Sequence, residues 1–354
     1  MAPQDERLRG GPPRWIPPTA ALTLAAGLFA LLWVFLPQGE QAPGTTTLWE
    51  GPFGPALDGA LAYLGADRML YLVDLRDGVR LGCKGVPNDR RPAAVSPTHA
   101  YLGRLSARPG EPNWDCWRAL PWEGTAYVDV GPGDWIAYAP QWESAVAAMA
   151  PLPGGGNGVR LLGDEAGDLA RSEGVWGALV PVGEGLLARE LTGAGEAWWW
   201  LAPGAEPRPA ALPAGFRPAA GGPGRVAGWA YGVAVVADLG AATLHPLAGP
   251  LSAAADWDAD GRRLAVVTAD PPRLTVYGEA GGRLWQSDLD PPVAALRFGV
   301  AWAPAGGFLV LAEGGTLAAY SADGARIGLL DPLQPQPEAA AAWIEVLPLP
   351  GPSS

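Results

Sequence analysis

The chain has 354 residues, 49% hydrophobic and 17% charged, with 17 tryptophans and a formal net charge of −12. So large an apolar share excludes a disordered chain, even with 50 glycines and 39 prolines. The acidic balance argues against nucleic acid and anionic membrane surfaces as partners, since both repel a negative protein.

Residues 1–18 form a basic tail containing Arg7, Arg9 and Arg14. The charge-free run from Thr19 to Leu36 follows, bracketed by Pro17, Pro18 and Pro37. Its length is close to the minimum for a helix crossing a hydrocarbon core of roughly 30 Å, so residues 19–36 are predicted to span a membrane. The next basic residue is Arg68. The positive-inside rule therefore puts the N-terminus in the cytoplasm and the remainder outside, as a single-pass protein of the cell membrane. A cleaved signal peptide is the competing reading. The run is longer than the usual apolar core of such peptides, and Glu40 stands where cleavage after Ala42 needs a small residue, so an uncleaved anchor is favoured. Ala21 with Ala25, and Ala26 with Ala30, have the spacing that lets two membrane helices pack closely, a weak signal for a homodimer.

Residues 37–46 read as a polar linker, residues 47–348 as the folded domain and 349–354 as a disordered tail. The domain exceeds the usual single-core size, which leaves two domains or one large repetitive β architecture. Its two cysteines, Cys83 and Cys116, fall on the oxidising side, and an even count there favours a disulfide. Closing that loop would contribute roughly 3 to 4 kcal/mol in the chain-entropy picture. Two buried thiols are the alternative. Lys84 is the one lysine, an arginine-for-lysine bias of the kind a G+C-rich genome produces.

Short apolar or alternating segments separated by turn residues fill the domain, without a long period of 3.6. Asp256-Trp257-Asp258-Ala259-Asp260-Gly261-Arg262-Arg263-Leu264 is repeated about 45 residues later as Ala301-Trp302-Ala303-Pro304-Ala305-Gly306-Gly307-Phe308-Leu309. Each copy is a strand ending in Trp, a tight turn and an apolar strand. The parallel continues through Leu274-Thr275-Val276-Tyr277 and Leu317-Ala318-Ala319-Tyr320, then Gly282-Arg283-Leu284 and Ala325-Arg326-Ile327. Four strands in such a period predict an all-β propeller blade. Weaker copies include Ala60-Leu61-Ala62-Tyr63 with Met69 to Leu75, and others starting near Ala93, Ala126, Gly174 and Gly222. Dividing the domain by about 43 residues per blade predicts seven blades, with six or eight also open.

Trp257-Asp258-Ala259-Asp260-Gly261-Arg262, Tyr71-Leu72-Val73-Asp74-Leu75 and Gly282-Arg283-Leu284-Trp285 resemble strands of the WD-repeat, TolB-type and quinoprotein-like propellers. The resemblance implies the fold and little about activity. Quinoprotein cofactor binding uses adjacent cysteines, which this chain lacks. Trp343-Ile344-Glu345-Val346-Leu347, and as another candidate Thr45 to Trp49, read as strands able to join the first and last blades.

Asp256, Asp258, Asp260 and Gly261 match the opening of a calcium loop, but Val267 occupies the position needing Glu, so a strand-joining Asp-Gly turn is favoured. Trp198, Trp199 and Trp200 should alternate between two faces and are expected to be packed between blades. Trp114 and Trp117 flank Cys116 in a Pro/Asn-containing segment and are weak candidates for binding. Pro153-Gly154-Gly155-Gly156-Asn157-Gly158 lacks the Lys-Ser/Thr of a phosphate loop and reads as a connection between strands. His99 and His245 have no recognisable serine or acid partner, and the dispersed His and Cys make a zinc site improbable. No catalytic residue, metal ligand or cofactor is assigned. These residues point to a membrane-anchored extracytoplasmic propeller that binds or scaffolds a protein, peptide or envelope component. An extracytoplasmic hydrolase or lyase using acidic residues of the funnel is the alternative.

Overall fold

The computed structural model describes residues 57–64, 68–76, 80–88, 90–104, 117–123, 128–131, 133, 135–142, 144–152, 155–162, 167–252, 254–289, 299–303, 306–313, 316–330 and 344–347. These residues form seven four-stranded antiparallel sheets. The first contains β1 (Ala60–Leu64), β2 (Met69–Asp74) and β3 (Arg80–Gly85); its fourth strand comes from the far end of the chain. The second runs β4 (Arg90–Val95), β5 (His99–Arg104), β6 (Trp117–Pro121) and β7 (Val128–Gly131). The third is β8 (Trp135–Ala139), β9 (Ser144–Pro151), β10 (Asn157–Leu162) and β11 (Asp168–Ser172). The fourth is β12 (Val175–Val182), β13 (Gly185–Thr192), β14 (Gly195–Leu201) and β15 (Arg208–Pro209). The fifth comprises β16 (Arg217–Gly222), β17 (Arg225–Ala230), β18 (Val233–Asp238) and β19 (Thr243–Pro246). The sixth comprises β20 (Ala255–Trp257), β21 (Arg263–Ala269), β22 (Pro272–Gly278) and β23 (Arg283–Asp288). The seventh has β24 (Gly299–Trp302), β25 (Phe308–Glu313), β26 (Thr316–Tyr320) and β27 (Arg326–Leu330). Finally β28 (Ile344–Leu347) returns to pair with β1.

Each sheet is a propeller blade, and its inner strand touches the inner strands of neighbouring blades: β4 with β8, then β8, β12, β16, β20, β24 and β28 in succession. Because four antiparallel strands bring the chain back to the end where it started, every inner strand begins at the same end of the ring. We call this end the entry face. The expected closing strand is present: β28 becomes the inner strand of the first blade, and Leu61 lies opposite Val346. Thr45 to Trp49, the other terminal strand expected, lies outside the described residues.

Burial on both faces explains the composition. In β1 all five residues are buried. Ala60, Ala62 and Leu64 pack toward the second blade with Val95 and Leu102, whereas Leu61 and Tyr63 pack toward the seventh with Ala303 and Ala319. A strand that serves two cores has no solvent side, so its sequence is apolar throughout rather than alternating. Strands at the outer edge meet water instead, and β19 and β23 are mostly exposed. Four further clusters of this kind among the described residues bind successive blades, the third to the fourth through Val146, Trp176 and Leu186, and the sixth to the seventh through Val276 and Trp302.

Several repeat boundaries differ from the expected phase. Gly222 ends β16 rather than opening a unit, and Ala126 lies outside the described residues just before the outer strand β7. Bulges at Ala93, Ala178 and Ala219 add a residue to three inner strands and shift the register there. Among the described residues no helix is long and apolar enough to cross a membrane, and the predicted span at 19–36 lies outside them.

Candidate functional site

The Asp256 to Gly261 segment is a structural joint. Asp258, only 4% exposed, accepts from the N–H groups of Arg262 (2.7 Å) and Arg263 (3.1 Å), and its other oxygen pairs with Arg263 Nε at 2.8 Å. Asp256 faces the next blade instead. Its carboxylate accepts from Trp302 N at 2.8 Å and Trp257 N at 2.9 Å, and its carbonyl accepts from Trp302 Nε1 at 2.8 Å. Burial pushes the Asp256 carboxyl up to about 7; the two N–H donors pull against that rise and the Asp258 charge adds to it. Arg263 lies over the Trp302 ring at 5.1 Å. Asp260 is exposed, and no group able to hold a metal occurs among the described residues. Trp257 repeats the device one blade earlier by donating to Ala220 O at 3.2 Å. A Cβ at Gly222 would lie 2.6 Å from the Trp257 ring, so that glycine lets the indole reach across.

Other singled-out residues also have packing roles. Trp198 belongs to the cluster facing the fifth blade, Trp199 to the one facing the third, and Trp200 again to the fifth, as alternation predicts. Trp199 Nε1 donates to the buried Glu190 at 2.7 Å, and Ser172 of the preceding blade donates to the same carboxylate. Gly155 and Gly156 close a tight turn between β9 and β10, with Gly155 N donating to Leu152 O at 3.0 Å. His99 is half-buried and within 2.9 Å of the Thr98 hydroxyl, and desolvation lowers its pKa. His245 lies 3.1 Å from the Thr243 hydroxyl. Cys83 is partly buried on β3. Cys116 and Trp114 lie outside the described residues, so no disulfide occurs among the described residues and the Cys83–Cys116 pairing stays an expectation. Trp117 opens β6 opposite Gly131.

A different set of residues stands out at the entry face. Nine large hydrophobic residues are exposed among the described residues. Four of them, Leu81, Leu244, Leu284 and Ile327, occupy the second position of an outer strand. The other five gather at the entry face of the third to fifth blades: Trp135, Val175, Leu191, Tyr231 and Val233. Val175 and Leu191 are cross-strand partners and so share a face. Leu187 and Trp198, which share that parity, pack toward the fifth blade. There the turn Tyr231-Gly232 joins β17 to β18, with Ala230 opposite Val233.

Tyr231 is 82% exposed and has φ 52°, with Gly232 at φ 80°. Two positive φ values define a type I′ turn, for which Asn-Gly is preferred. A tyrosine there costs on the order of 1 kcal/mol in backbone strain. Neither packing nor turn chemistry accounts for it. Deeper on the same side, Arg189 lies opposite Gly177 of the inner strand. The carboxylates on described inner strands are Asp256 and Glu345, and Asp256 is held by the Trp302 joint.

Apo AztD from Citrobacter koseri superimposes on this chain with a TM-score of 0.53 at 13% identity, covering 82% of this chain and 98% of that one. A second AztD structure from the same organism gives 0.51 at 14% identity with the same coverage. TolB from Acinetobacter baumannii matches at 0.44 and 14% identity, over 82% of this chain and 67% of that one. At such identities the likeness is one of fold, the β-propeller. No protein-family model matches the sequence, and no curated protein matches it.

Proposed function

We propose that this chain is a membrane-anchored, extracytoplasmic β-propeller that binds a protein or peptide through the entry face of its third to fifth blades. The observation that carries the reading is Tyr231, a strained and almost fully exposed aromatic at the same end of the ring as the exposed Val233, Val175, Leu191 and Trp135. Exposed apolar clusters of this kind mark interaction sites, and Trp, Tyr and Arg supply most binding hot spots. The anchor rests on the apolar run at 19–36 and its arginine-only inner flank. A hydrolase or lyase would draw on Asp256 and Glu345, the first already engaged with the backbone of the next blade.

A photo-crosslinking residue placed at 231 or 233 of the full chain, expressed in cells, tests the reading. Discrete adducts are expected from these positions and not from position 284 on the outer edge. Adducts from neither face position, or equal adducts from position 284, overturn it. In intact cells a membrane-impermeant maleimide should label a cysteine introduced at Tyr231; labelling only after lysis overturns the topology.

A further inference from the structure

At the inner edge of the entry face two nitrogen donors converge on one bare stretch of backbone. Gly177 of β12 has no side chain, and the position its Cβ would take lies 3.2 Å from Trp135 Nε1 and 3.6 Å from Arg189 Nη2. Trp135 opens the inner strand of the third blade and is 45% exposed, while Arg189 reaches this point from β13 of the fourth. Among the described residues Arg189 Nε is buried without an acceptor. Next in sequence, Trp176 is 2% exposed and its indole N–H is likewise buried without an acceptor. Buried donors are almost always satisfied, so an orphaned guanidinium nitrogen beside a bare glycine is suited to an acceptor oxygen from outside the chain. The chain carries a net −12, yet no ion pair to this guanidinium occurs among the described residues.

We propose that the notch formed by Trp135, Gly177 and Arg189 receives a carboxylate of the bound peptide, flanked by apolar side chains that settle on Val175, Leu191 and Tyr231. The proposal rests on the peptide-binding reading above and adds the chemistry that the partner must carry. Arg189 supplies a charge-assisted donor, and the Trp135 indole supplies a second N–H beside a flat apolar surface. Gly177 keeps the two tips close, because a methyl group there would crowd the indole.

The test uses the full chain in detergent and a set of labelled octapeptides of Leu, Val, Phe and Ala. Each peptide is made with a free C-terminal carboxylate, as the C-terminal amide, and as the amide with one internal Glu. A carboxylate form is expected to bind about tenfold or more tightly than its neutral amide, which corresponds to one charge-assisted contact. Whether the terminal or the Glu form prevails identifies the source of the carboxylate. Arg189→Gln should erase the preference, Arg189→Lys should retain part of it, and Gly177→Ala should weaken it, all with unchanged melting temperatures. Amides that bind as well as the acids overturn the notch while leaving the apolar face intact, provided that Tyr231→Ala still weakens them. An acid preference that survives Arg189→Gln, or the absence of binding by every form, also overturns the notch; the crosslinking experiment judges the face independently.

Discussion

The junction of the sixth and seventh blades and the entry face between the third and fourth are built from the same residue types, tryptophan and arginine, and differ in whether their polar atoms are satisfied. At the first, Trp302 donates twice to Asp256 and Arg263 pairs with Asp258 while covering the Trp302 ring. At the second, Trp135 and Arg189 meet over Gly177, and among the described residues Arg189 Nε has no acceptor. A propeller has to hold its blades together and also recognise something. Satisfied donors do the first, and donors left open in a half-exposed notch are suited to the second.

The sharpest way to break this contrast is at the ring's seam. Ending the chain before Ile344 removes β28 and leaves β1 unpaired on its inner side, and a fall in Tm of more than about 10 °C is expected, since each kcal/mol is worth roughly 2 to 4 °C at this size. An unchanged melting curve would show that closure lies elsewhere. Next in size, Trp302→Ala should cost about 3 to 5 kcal/mol in urea unfolding, whereas Trp135→Ala should stay within about 0.5 kcal/mol. Comparable losses from both would erase the distinction between joint and site. Gly222→Ala pushes a methyl group into Trp257 and should cost about 1 to 3 kcal/mol.

Asp256 gives the joint a pH signature. Its folded-state pKa of about 7 exceeds the ordinary carboxyl value of 3.8, so the folded chain holds one more proton than the unfolded chain between those values. The resulting stability is fully present below pH 3.8 and is lost as pH rises to 7. The unfolding free energy of the parent minus that of Asp256→Asn should therefore fall as pH rises from 4.5 to 7.5, and a constant difference would rule out this titration. The smallest effect belongs to the entry face. Tyr231→Asn relieves the turn and should stabilise the fold by about 0.5 to 1 kcal/mol while weakening partner capture. Stabilisation without loss of capture would remove Tyr231 from the site.

The blades legible in the sequence are those whose joints are written locally. Trp257 with Asp258 and Gly261, and Trp302 with Gly306, place a strand end and its turn within a few residues, so the sixth and seventh blades could be aligned by eye. In the second, fourth and fifth blades an alanine bulge adds a residue to the inner strand, and the repeat loses its spacing. The entry face was not legible at all. Trp135, Gly177 and Arg189 come from three strands of two blades, and no linear motif connects them. The sequence drew attention instead to Trp114 and Trp117 beside a cysteine. One signal was available: Tyr231-Gly232 between two apolar strands is a two-residue hairpin turn with an aromatic where Asn is preferred.

The origin of β28 also fixes when the protein can become itself. Every other blade takes its four strands from one continuous stretch of chain, but the first needs a strand encoded at the opposite end of the message. Until residue 347 has been synthesised, β1 offers an open edge to any passing strand, including that of another nascent copy. The ring thus has a last-in component, and a chain truncated late in translation would display an adhesive edge rather than a slightly smaller propeller.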